Sequence, residues 1–176
     1  YRVVIPIYRT LLKLDQKNHE MYQQMAECCL RVNMSKEALE SFQKAVEITH
    51  RLKPDIAQRY QKRVVQLMPG ELGEVVRLAE LYEAASWSDQ AAEEFSSLAR
   101  IYRKLGNMDA EVRFYERAVQ AKDDWQYRRE TSDARLRQGS VKRALELLVP
   151  IYKENPTDAK LLNVLARGLS AIDHND

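Results

Sequence analysis

AEEFSSLARIYRKLGNMDAEVRFYERAVQ, residues 92–120, decides the architecture. Leu98, Ala99 and Tyr102 fall together on one face of a first helix, Gly106 makes a turn, and Tyr115 and Ala118 share a face of a second. The segment therefore predicts two short helices joined as a hairpin.

Outward from this stretch the same spacing recurs. A small residue, an aromatic four later and a further packing residue three after that appear as Ala38, Phe42 and Ala45 in SKEALESFQKAVE. Ala91, Phe95 and Leu98 repeat it in SDQAAEEFSSLA, and Val4, Tyr8 and Leu11 give another copy, 34 residues before that at Ala38. Periodicity at two scales, within helices and between hairpins, is the mark of a repeat array.

On these residues the chain resembles the tetratricopeptide repeat family, whose helix-turn-helix unit carries a large residue, Leu, a small residue and Tyr, then Ala, an aromatic and Ala. Residues 19–52 match it through Tyr22, Met25 and Ala26 followed by Ala38, Phe42 and Ala45. Gly139, Ala144, Leu148 and Pro156 mark a weaker copy, and Leu162, Leu165, Ala166 and Leu169 open another. The resemblance implies an all-α solenoid of stacked antiparallel helix pairs, about ten helices in a right-handed superhelix. The expected division is a single domain: 1–18 as the second helix of a truncated repeat, repeats at 19–52, 53–91, 92–124 and 125–158, and a capping helix at 159–176. The first segment reads as an unpaired second helix, so the native protein is expected to continue before Tyr1, while Asp173, His174, Asn175 and Asp176 suit a water-facing cap. Residues 53–91 lack the family's small residues around Tyr60, Val64 and Leu67. There the helix over 71–85 could pair with either neighbour.

Turn chemistry supports the helix count independently. Asn18, Ser35, Asp55, Ser88, Asp109, Asp123, Ser140 and Thr157 stand at or near helix starts, where short polar side chains satisfy free N–H groups. Pro54, Pro69 and Pro156 stand at turns, whereas Pro6 and Pro150 fall inside helical patterns and predict a kink or a late start.

Composition limits the functional classes. With 45% apolar residues and 31% charged, the chain has enough apolar surface for a core, and a net charge of +2 gives no global argument for nucleic acid. The five glycines are scattered, which excludes a phosphate-binding loop or dinucleotide fingerprint. His19, His50 and His174 are far apart, and adjacent Cys28 and Cys29 diverge on a helix, so local spacing assembles no metal site or disulfide. Glu93 with Glu94 diverge in the same way, and Asp123 with Asp124 favours a helix start. Trp87 and Trp125 are expected to cover helix junctions. No catalytic residue and no cofactor follow, and the compartment expected is the cytoplasm.

The family resemblance also implies where a partner would bind. First helices line the concave face, and their inward positions read Glu93, Ser96, Arg100, Arg103 and Lys104, then Gln126, Arg129, Asp133, Leu136 and Arg137, then Lys160, Asn163, Arg167, Ser170 and Ala171. Basic residues outnumber acidic ones seven to two in this register, against a mixed wall of Glu20, Gln23, Gln24, Glu27, Leu30 and Arg31 nearer the N-terminus. The candidate contact residues are Arg100, Arg103, Lys104, Arg129, Arg137, Asn163 and Arg167, and the expected ligand is an acidic protein or peptide. The family's carboxylate clamp is not supported, because Gln23, Glu27 and Ser96 stand where it uses Lys and Asn. Two alternatives remain: a helical-repeat RNA binder using the same cations with Tyr102, Trp125 and Tyr127, and a regulatory domain of a larger enzyme.

Overall fold

The computed structural model describes residues 1–154 and 156–173. Among these the chain forms ten helices and no strand. They are α1 (Val4–Leu14), α2 (His19–Arg31), α3 (Ser35–Thr49), α4 (Pro54–Leu67), α5 (Leu72–Ala84), α6 (Ser88–Lys104), α7 (Met108–Ala121), α8 (Trp125–Arg137), α9 (Val141–Glu154) and α10 (Ala159–Asp173). The helices fall into two compact units, Tyr1–Trp87 and Ser88–Asp176.

In the first unit each helix packs on the next in chain order, so α5 lies against α4. Its core joins Ala26 and Cys29 of α2 to Ala38, Phe42 and Ala45 of α3 and to Ala57, Tyr60 and Val64 of α4. In the second unit α6 to α10 also pack consecutively, and α10 touches α8 as well as α9. That extra contact brings first helices of neighbouring repeats side by side. Phe114 of α7 stacks on Phe95 and Tyr102 of α6, with ring centroids 6.3 and 5.3 Å apart. Such offset pairs stabilise beyond the area they bury.

Four turns share one hydrogen-bonded design. After α2, α5, α6 and α8 the chain passes through a left-handed residue: Asn33 (φ 61°), Ser86 (φ 60°), Gly106 (φ 73°) and Gly139 (φ 85°). In each case the following N–H reaches back five residues, from Met34 to Cys29 (2.9 Å), Trp87 to Tyr82 (2.9 Å), Asn107 to Tyr102 (3.0 Å) and Ser140 to Arg135 (2.8 Å). These bonds satisfy carbonyls that the helix end would otherwise leave unpaired. Glycine takes the conformation freely, and Asn tolerates it through its short polar side chain. Side-chain caps open α2, α7, α8 and α10: Asn18 accepts from Met21, Asn107 from Ala110, Asp124 from Gln126 and Asp158 from Leu161. Asn18 is the expected cap, Asp124 and Asp158 cap one residue after the expected Asp123 and Thr157, and Asn107 two before Asp109, whereas α3 and α4 begin without a side-chain cap although Ser35 and Asp55 stand at their starts.

Ala38, Phe42, Ala45, Leu98, Tyr115 and Ala118 are buried, and Tyr102 is half-buried against Phe114. The copy at α1 is seated one residue later than its spacing suggests: Ile5 and Leu12 are buried while Val4 and Leu11 are exposed. With α2 as its neighbour, α1 is free to rotate its more apolar edge inward. Pro6 sits in the first turn of α1, where no N–H is needed, and Pro150 lies within α9. Trp87 stacks on Tyr82 at 5.9 Å but stays exposed, whereas Trp125, partly buried, packs on the core of the second unit. The polar cap expected at His174, Asn175 and Asp176 lies outside the described residues.

Ala118 has no exposed surface, and an Arg there would force a charge between α7 and its neighbours. Ala118→Arg is expected to lower unfolding stability by about 3 kcal/mol or more. Urea titration followed by circular dichroism at 222 nm checks this.

Candidate interaction groove

The second unit carries a groove of about 470 Å³ whose walls come from α6, α8 and α10. Arg100 and Arg103 line it from α6, Arg129, Glu130 and Asp133 from α8, and Lys160, Asn163 and Arg167 from α10, with Tyr115 of α7 at its base. These residues lie in three successive first helices, and α10 rests directly on α8. Of the seven candidates drawn from the sequence, Arg100, Arg103, Arg129, Asn163 and Arg167 are brought together here, whereas Lys104 and Arg137 do not line the groove. Lys104 is an exposed residue that ends α6.

Arg137 is drawn to carboxylates instead. Its guanidinium forms ion pairs with Asp133 one turn earlier on α8 and with Glu111 on α7. Glu111 is only 1% exposed, so its charge has been taken out of water and needs a fixed cation. The small-aromatic-small spacing signals this residue: in the pattern 111, 115, 118 a glutamate stands where the copies at 38 and 91 have alanine. A carboxylate in a slot made for a methyl group implies a partner on the next helix.

Asp133 is the hub of the α8 floor. Besides Arg137 it pairs with Arg167 of α10 and lies 3.8 Å from Arg103 of α6. These two arginines are about half exposed, at 48% and 53% of their side-chain surface, so each keeps donors facing solvent. Arg129 is more enclosed: its side chain is 13% exposed, it lies 3.6 Å from Asp158 at the start of α10, and its guanidinium sits 5.4 Å above the Trp125 ring. Arg100 is exposed and anchored on α6 through the Ser96 hydroxyl (3.1 Å) and carbonyl (3.3 Å). Ser96 in turn donates to Glu130 at 3.3 Å. Burial, with Glu130 and Glu111 close by, pushes the Tyr115 hydroxyl above its ordinary value, so it stays a neutral hydrogen-bonding group.

The arrangement suits anion recognition. Five cationic side chains line the groove against two carboxylates, Glu130 and Asp133, and Lys160 has no ion-pair partner among the described residues. Among the described residues no cluster of three His, Cys, Asp or Glu side chains could hold a metal, and no helix is long and apolar enough to cross a membrane.

Removal of the Arg137 guanidinium would strand the Glu111 charge. Arg137→Gln is expected to cost about 3 kcal/mol, and Glu111→Ala combined with Arg137→Gln to recover much of it, by the usual cost of breaking one partner of a buried pair. A double-mutant cycle in chemical denaturation measures both.

A family model for the tetratricopeptide repeat matches residues 19–49 and 95–124, the hairpins α2–α3 and α6–α7. Comparison with curated proteins finds no match. Among solved structures, the chain is similar to MamA, at 18% identity over 89% of this chain and 83% of that one, with a TM-score of 0.44. It is also similar to PilW, a type IV pilus biogenesis factor, at 16% identity over 94% and 90%, TM-score 0.39. YrrB, a tetratricopeptide repeat protein described as having an unusual peptide-binding site, is 15% identical over 93% and 91%, TM-score 0.41. The family's own pattern thus identifies two of the chain's helix hairpins, α2–α3 and α6–α7, as tetratricopeptide repeats.

Proposed function

We propose that the chain is a non-catalytic scaffold whose second unit binds an acidic segment of a partner protein in the groove between α6, α8 and α10. Tetratricopeptide repeats are protein-interaction repeats and generally non-catalytic, which supports the scaffold. The observation that carries the ligand assignment is the convergence of Arg100, Arg103, Arg129, Lys160 and Arg167 on one groove from three helices. Arginine's planar fork matches carboxylates, and a cleft of net positive charge steers an oppositely charged segment toward it. The free thiols of Cys28 and Cys29 suit a reducing compartment such as the cytoplasm.

Two of the three aromatic residues that an RNA-binding reading uses are engaged within the protein. Tyr102 is stacked on Phe114, and Trp125, partly buried, packs against the core beneath Arg129. Stacking on bases would require them at the surface.

The test uses a fluorescein-labelled peptide with four consecutive Glu residues, its Gln counterpart and a labelled random single-stranded RNA. Fluorescence anisotropy is expected to show binding of the Glu peptide alone. Arg100→Glu with Arg103→Glu and Lys160→Glu is expected to weaken it about tenfold or more, since exposed pairs act weakly one by one and together in sum. The melting temperature of this variant should stay close to the parent's, because the substitutions spare Arg129 and Arg137. Salt-sensitive RNA binding with no peptide binding would favour the nucleic-acid reading.

A further inference from the structure

We infer that Asp133 is a positioning residue that competes internally for the groove's arginines and so sets how much negative charge a ligand must bring. The inference rests on the groove being the binding site. Asp133 occupies the point where Arg103 arrives from α6 and Arg167 from α10. Its carboxylate has the same chemistry as the ligand's and is held permanently in place by the backbone of α8.

A carboxylate entering at this point exchanges one ion pair for another and gains little. A segment with several neighbouring carboxylates also reaches Arg100 and Lys160, which have no carboxylate pair of their own among the described residues, and gains on balance. The groove thereby selects clustered charge over a lone acidic side chain. Arg137 shows that the competition is separable from the fold, because it retains Glu111 when Asp133 is neutralised. Asp133 lies 34 residues from Arg167, and the two occupy equivalent places in successive first helices. The competitor is therefore built into the repeat-to-repeat contact.

The experiment measures anisotropy of the labelled four-Glu peptide with the full chain. Asp133→Asn, and Asp133→Ser as a second variant, are each expected to bind about fivefold tighter, the scale of one exposed pair lost as competitor. Adding Arg103→Gln and Arg167→Gln to Asp133→Asn should abolish that gain, which general loosening of the fold would not do. Wild-type binding that either variant leaves unchanged or weakens would overturn the role of Asp133 while leaving the groove assignment standing. A gain that survives loss of both arginines would also overturn it, as a long-range charge effect. Absence of peptide binding by parent and variants alike would overturn both.

Discussion

Close approach of helices at alanine is the contact on which the rest of the molecule depends. Ala38, Ala45, Ala57, Ala91, Ala99, Ala118 and Ala144 have no exposed surface. A methyl group lets two helix backbones come near, and the aromatic one turn away then fills the wider space beside the crossing, as Phe42 and Phe95 do. Because the narrow point recurs in each hairpin, successive first helices arrive in similar orientation within a unit. Only that regularity places Arg100, Arg129 and Arg167 on one wall.

The groove's electrostatics follow from its packing. Where glutamate replaces alanine at position 111, the helix interface holds a charge, and Arg137 must turn from the groove to meet it. The arginines left in the groove are graded by enclosure. Arg129 is pinned between Trp125 and Asp158, Arg103 and Arg167 share Asp133, and Arg100 hangs from Ser96. The same residue type thus serves as helix clamp, as floor of the groove and as exposed donor, and the neighbour decides which.

The sequence made the helices legible because their signals are local: Ala38, Phe42 and Ala45 declare a face, and Gly106 or Gly139 declares a turn within a few residues. The groove wall was legible through the repeat, since equivalent positions project to equivalent places. What escaped was pairing between helices. Arg137 and Lys104 occupy identical repeat positions and are both basic in sequence, yet one meets Glu111 and the other faces water. That difference depends on a residue 26 positions away on another helix, and no periodicity within α8 reports it. The seating of α1 escaped for a related reason: Val4 and Ile5 are both apolar, and only the neighbour chooses between them.

Asp133 bonds Arg167, which stands at the equivalent place of the next first helix, 34 residues on. A position in one first helix therefore meets its own counterpart in the next. In an array of identical repeats, any charge placed there would face its own copy, and the stack would repel itself. These repeats have escaped that by becoming unlike one another, aspartate against arginine. Their order is consequently fixed: exchange of whole repeats by recombination, harmless to a uniform array, would here set mismatched side chains face to face. The repeats have ceased to be interchangeable parts.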